Sequence, residues 1–267
     1  MSESLPTKTR TPERGRLSLL FGQACLAIAV LVAWALLVSI RDIPAYLIPS
    51  PSDVWHAGFN QWASLMDDFS VTAMEAFAGL LLGAGMGFLC GVLFAHVKVL
   101  EDLFQPYLVA LQAVPVVAIA PLLVLWFGSG MMGKILLSGF MSYFPVVVAT
   151  TYGIRRIRNE QLELMQILSA TTFEIFIKLR LPNSLSHIFP ALRVSATLSV
   201  IGAIVAEIAG ASGGLGHRIL VDSYRTETAS MFAAIFLAAL LGLIFYGIVR
   251  VSGNYFLRNH DREFATL

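Results

Sequence analysis

Charge is scarce in this chain. Asp, Glu, Lys and Arg supply 13% of its 267 residues and hydrophobic residues 57%, whereas soluble domains carry roughly 25% charged residues. Mean hydropathy is +0.76, so the implied solvent is lipid. A net charge of +1 leaves no basic footprint for nucleic acid. Cysteine is nearly absent: Cys25 and Cys90 both lie inside apolar runs, without CxxC or metal-ligand spacing. No HExxH, Ser/His/Asp set or metal cluster is present, so no catalytic or metal-binding residue is assigned. The five histidines, His56, His96, His187, His217 and His260, scatter through loops and span ends as boundary residues.

What the chain does have is long apolar runs. Leu19 to Ile40 is about 22 residues, enough to cross ~30 Å of hydrocarbon, and it reads as a retained transmembrane helix rather than a signal peptide. Arg41 to Phe69 is amphipathic, with Pro44, Pro49 and Pro51. Ser52 and Asp53 can cap a short helix there, carrying Trp55, Phe59 and Trp62 to a membrane boundary. The second span covers Val71 to Val97. Its Gly79, Gly83, Gly87 and Gly91 recur every four residues on one face, a ridge for close helix packing.

Leu103 to Phe127 is a third apolar segment interrupted by Pro106, Pro115 and Pro121, which implies kinks or an unwound middle. Ile135 to Ile154, Ile188 to Ala211 and Ala229 to Val251 complete six spans. Between spans three and four, Gly128 to Lys134 satisfies GxGxxG and most of a phosphate-binding loop. Ile135 stands where Ser or Thr would hold Mg²⁺, and no βαβ unit fits between two apolar spans. It is a glycine turn, and the chain has no ATP-hydrolysing site of its own.

Six spans put both termini on one side. Twelve basic residues then fall on that side, in the N-tail, the Lys98 turn, the interval after span four and the C-tail. Four fall on the other: Arg41, Lys134, Arg218 and Arg225. The asymmetry places both termini in the cytoplasm. The organisation is a cytoplasmic N-tail (1–18), a transmembrane domain (19–256) and a cytoplasmic C-tail (257–267). Glu75, Arg193 and Glu207 are ionisable residues in or near spans, where charge must face a cavity, a partner or the bundle interior. Arg193 is near enough to an end to snorkel. Glu207 reads two ways, as a lining of a transport path or as a cap on the Gly210–Gly216 loop. With the proline-interrupted segment it gives a candidate translocation path of Gln112, Pro115, Pro121 and Glu207.

The interval 155–187 connects spans four and five and is only weakly polar. Leu162, Met165, Leu168, Ile175, Phe176 and Leu179 recur at helical spacings, which predicts a short amphipathic helix ended or bent by Pro182. An apolar stripe facing cytoplasm needs a partner.

This interval resembles the coupling loop of ABC-importer permeases, whose pattern is EAA, three variable residues, Gly, then Leu-Pro about a dozen residues on. Counting back from Leu181-Pro182 puts Glu163, Leu164 and Met165 at the EAA positions and Ser169 at the glycine. LIPSPSDVW (47–55), QAVPVVAIAPLLVLWFGSG (112–130) and LRVSATLSVIGAIVAEIAGASGGLG (192–216) are similar to the nitrate/sulfonate/taurine-type permease group. The Leu-Met form of the motif with VVAIAPLLVLWFG is most similar to permeases for riboflavin or thiamine-pyrimidine precursors.

The resemblance implies an all-α integral membrane protein of the bacterial inner membrane, with six transmembrane helices and a cytoplasmic coupling helix between spans four and five. It implies import of a small solute, a homodimer with the path at its interface, and separate ABC ATPase subunits that bind the ATP. A periplasmic or extracellular solute-binding protein would deliver substrate to loops 41–69 and 212–228. Coupling would run through Glu163, Leu164, Met165, Leu168, Ser169, Phe176, Leu181 and Pro182. The alternative from another class is an ion-coupled secondary transporter using Glu75 and Glu207 as midplane acids.

Overall fold

A computed structural model describes residues 13–264, with side chains described for residues 21–256. The expected N-tail lies outside the described residues up to residue 12, and the side chains of the expected C-tail lie outside them too. Eleven α-helices make up the described chain: α1 (Glu13–Ile40), α2 (Pro51–Asn60), α3 (Trp62–His96), α4 (Lys98–Ala113), α5 (Val116–Phe127), α6 (Met131–Arg155), α7 (Asn159–Ile167), α8 (Thr172–Ile175), α9 (Leu181–Gly210), α10 (Leu215–Tyr224) and α11 (Thr228–Phe264). A π-helical turn, Phe176–Arg180, joins α8 to α9.

Five continuous helical stretches are long and apolar enough to cross a membrane: Phe21–Ile40, Trp62–His96, Met131–Arg155, Thr172–Gly210 and Thr228–Phe256. The third expected span is different. It forms two helices, α4 and α5, bent by 95° at the break. Pro115 explains the break: Val114, the residue before it, is extended (φ −70°, ψ 127°), as a pre-proline residue prefers. Pro106 and Pro121 stay inside their helices. Helices also overrun the expected boundaries, since α1 begins at Glu13 and α11 continues to Phe264.

The bundle is centred on α3, α6 and α9, and small residues set its spacing. All four ridge glycines are buried against α6. A β-carbon on Gly87 would meet the Tyr143 carbonyl oxygen at 2.7 Å, and one on Gly91 would meet Thr150 Cβ at 2.6 Å. Helix α6 meets α9 through serines: Ser195 donates to the Ser142 carbonyl at 2.8 Å, and Ser138 to that of Ser199 at 2.8 Å. Gly202 lies so near Ser138 that a β-carbon would meet its Cα at 2.7 Å. Such interfaces suit a membrane, where apolar burial between helices gains little and van der Waals packing must hold them.

Apolar residues fill the remaining seams. Ala76, Leu80, Ala196, Val200, Leu241 and Phe245 pack α3, α9 and α11 together. Val54 and Leu215 tie α2 and α10 to α11. Helix α2 opens with a capping box in which Ser50, not the expected Ser52, is the N-cap and Asp53 closes the box. Hydrogen bonds from the Ser50 hydroxyl and amide hold the Asp53 carboxyl below the ordinary aspartate value.

Candidate functional site: an exposed elbow and the cleft above it

The interval after α6 is an elbow of two short helices. Arg155, the last residue of α6, anchors its root. Its side chain donates to the Phe94 carbonyl at 2.6 Å and the Ala95 carbonyl at 3.3 Å, and it pairs with Glu101. Helix α7 then runs to Ile167 and closes in a Schellman motif: the Ala170 amide donates to the Met165 carbonyl at 3.0 Å, and the Ser169 amide to that of Gln166 at 2.9 Å. Ser169 takes the left-handed conformation, φ +56°, usually given to glycine. Serine at the family's glycine position therefore keeps the turn.

Thr171 caps the next helix. Its hydroxyl accepts from the Glu174 amide at 3.3 Å while its own amide donates to Glu174 Oε2 at 3.0 Å. The chain then continues through the π turn into α9. Pro182 neither stops nor ends this helix. It occupies the first turn of α9, where a missing donor is tolerated. The π turn before it closes with the Leu181 amide on the Phe176 carbonyl. The second half of the elbow and span five are thus one continuous helical lever from Thr172 to Gly210.

The expected single stripe is divided. Because the Schellman turn resets helical phase at Ser169, one wheel cannot describe residues 162–179. Leu162, Met165, Ile175, Phe176 and Leu179 are half-buried, and the Phe176 ring packs against His96 at 5.4 Å. Phe176 is therefore an internal tether, while Phe173, three residues earlier, is exposed. The outward apolar surface includes Leu164, Ile167, Leu168 and Phe173, with Ile167 79% and Phe173 73% exposed. Glu163 is exposed beside it, while Leu181 and Pro182 are half-buried in the lever. Asn183 ties the far end back, donating to the Arg156 carbonyl at 3.0 Å.

Beside the root of the elbow lies an open cleft of about 700 Å³. Gln112 and Val116 form one wall, and α6 and α9 form the other, with Phe140, Phe144, Tyr152 and His187 among their contributions. Gln112, one of the expected path residues, is the one of the four that lines this cleft. Pro115 sets the bend between α4 and α5 without lining the cleft, and Pro121 is exposed elsewhere on α5.

Glu207 is not in this cleft. It is fully buried at the far end of the bundle, accepting from the Thr72 hydroxyl at 2.7 Å and the Gly216 amide at 2.6 Å. Of its two readings, the loop cap is the one observed. The same strap includes Leu215, whose amide donates to Thr72 Oγ1 at 2.8 Å, and Gly214, whose amide donates to Asp68 Oδ1 at 3.0 Å. Arg218 extends it, donating to Asp222 at 3.0 Å and to Ser64 at 2.8 Å. Glu75 pairs with Lys134 across α3 and α6, with both side chains nearly inaccessible. Sequence reasoning singled out Glu75 but not its partner, for which a lysine at the start of a span was the visible signal. Arg193 reaches Asn254 on α11 at 3.4 Å.

Apolar crossings, a capped elbow projecting from the bundle and a cleft at its root define a polytopic transport permease. The chain belongs to the family described as binding-protein-dependent transport system inner membrane component, which residues 79–254 match. A probable ABC transporter permease protein of Haemophilus influenzae is 35% identical over 81% of this chain and 89% of its own length. The riboflavin transport system permease protein RibX of Chloroflexus aurantiacus is 31% identical over 92% of this chain and 94% of its own. The formylaminopyrimidine transport permease protein ThiX of Halalkalibacterium halodurans is 31% identical over 85% and 91%. Among solved structures, an inward-facing MetNI methionine ABC transporter chain superposes with a TM-score of 0.62 at 18% identity, covering 75% of this chain and 98% of that one. The protein is an ABC-importer permease, a multi-pass membrane component of binding-protein-dependent transport.

Proposed function

We propose that the α7–α8 elbow is the surface through which a separate ATPase drives this permease. The observation that carries the proposal is the exposed apolar set Leu164, Ile167, Leu168 and Phe173, of which Phe173 lies on the helical stretch continuous with α9. An apolar helical surface of this kind fits a groove on a partner. Closure of an ATPase pair around ATP would push the elbow, and the lever Thr172–Gly210 would carry that motion into the bundle. ATP belongs to the partner.

In this reading the elbow and both termini face the cytoplasm, and the opposite loops receive solute from a binding protein. Two copies of the chain face one another across the cleft, which is the solute path. The exposed apolar faces of α4 and α5, in which only Ala120 is buried, support such a pairing. An ion-coupled mechanism is disfavoured, because Glu207 is engaged by Thr72 and Gly216 and Glu75 by Lys134. The test is cross-linking: Ile167→Cys should form a nucleotide-sensitive disulfide with a cysteine placed in the ATPase groove, and Trp55→Cys should not. Equal cross-linking at both sites would defeat the assignment.

A further inference from the structure

The lining of the cleft carries information about what passes through it. Its largest side chains are aromatic: Phe140 and Phe144 meet edge to face at 5.0 Å, and Tyr152 and His187 do so at 5.3 Å. Its polar groups are few and neutral or weakly basic, namely Gln112, Tyr152, Ser186 and His187, the last within 3.0 Å of the Ser186 hydroxyl through Nδ1. None of the described residues lining it is Lys, Arg, Asp or Glu. Arg156 donates to the Tyr152 hydroxyl and lies over that ring at 5.3 Å.

Recognition of a sulfonate or another small anion in a low-dielectric site calls for Arg, Lys or several converging N–H donors. An apolar wall without them repels the anion by failing to replace its hydration. A flat ring with donors and acceptors at its edge meets the opposite circumstance. Its face contacts Phe140 and Phe144, and its edge finds Gln112, Ser186 and His187. The cleft volume of about 700 Å³ accommodates a ring compound.

We infer that the solute moved through this cleft is an uncharged, planar heteroaromatic compound. The inference rests on the cleft being the solute path, and its test separates the two. Full-length permease with Cys25→Ala and Cys90→Ala, carrying Ala149→Cys in the cleft wall, is assembled with its ATPase in lipid nanodiscs. Maleimide labelling of that cysteine is timed with riboflavin, formylaminopyrimidine, taurine or butanesulfonate present. At least one of the two heterocycles should slow labelling fivefold or more, and Phe140→Ala should abolish the protection. The two anions should leave the rate unchanged. Protection by either anion, or by none of the four, overturns the inference about substrate class. The path itself is tested in cells by uptake of the solutes through the same Ala149→Cys transporter before and after maleimide. Unimpaired uptake after complete labelling would overturn the path, whichever solute protects.

Discussion

Lys134, one turn into α6, donates to Glu75 on α3 in an ion pair sealed from solvent, with side-chain exposures of 8% and 1%. The bundle therefore contains a charge pair at the very interface that its glycine ridge brings together. Removing one member of a buried pair leaves the other uncompensated, at a cost of about 3–5 kcal/mol. Lys134→Met should lower the thermal midpoint of monodisperse permease in detergent by several degrees. Adding Glu75→Leu should recover most of that loss, since an apolar pair of similar volume is often neutral. A single variant as stable as the parent would show that the pair contributes nothing.

The glycine ridge gives a contrast within one helix. A β-carbon on Gly83 would lie 2.9 Å from Gly139 Cα, while one on Gly85 would meet nothing within 4 Å. Gly83→Leu should force α3 from α6 and cost at least ~1–3 kcal/mol of overpacking, read as lost yield of folded protein. Gly85→Leu should be tolerated. Equal yields from the two would remove the packing claim.

That ridge was legible in the sequence because a four-residue repeat of glycine has few other uses in an apolar helix. The exposed face of the elbow was not. Its phase depends on the left-handed turn at Ser169, and nothing local announces that a serine will adopt φ +56°. Leu164 and Leu168, both exposed, stand among the residues expected from sequence, while Ile167 and Phe173 do not, since a wheel drawn through the turn assigns the wrong side. Glu207 illustrates a different limit. An acid near a span end fits a path or a cap equally well until Thr72, which is 135 residues away in sequence, is seen to meet it.

Ser169 offers a test of the turn. A non-glycine residue in this conformation carries about 1–2 kcal/mol of strain. Ser169→Gly relieves it, offset by roughly 0.5–1 kcal/mol of unfolded-chain entropy, so stability should be unchanged or slightly higher. Ser169→Val, with a β-branched side chain at positive φ, should shorten the half-life of the elbow in limited proteolysis. A valine variant as resistant as the parent would argue against the turn.

Orientation is checked by labelling in intact cells lacking the two native cysteines. Asn159 and Tyr224 are both exposed, Tyr224 by 81%, and both lie outside the candidate spans. Tyr224→Cys should react with an impermeant maleimide, and Asn159→Cys should react only after permeabilisation. The reverse pattern would invert the proposed topology. Asp222 is unsuitable as a reporter because it is buried beneath Arg218.

Coupling is tested most directly on the elbow surface itself. Leu168→Asp combined with Phe173→Asp removes two large exposed anchors without touching the Phe176–His96 tether. Two such anchors at about 2 kcal/mol each correspond to roughly three orders of magnitude in affinity. The measurement is recovery of the ATPase with tagged permease after detergent extraction, beside the elution profile of the permease. The expected result is a normally folded permease that has lost its ATPase, and with it uptake in intact cells. A double variant that retains both the ATPase and normal uptake would contradict the assignment of the elbow as the coupling surface.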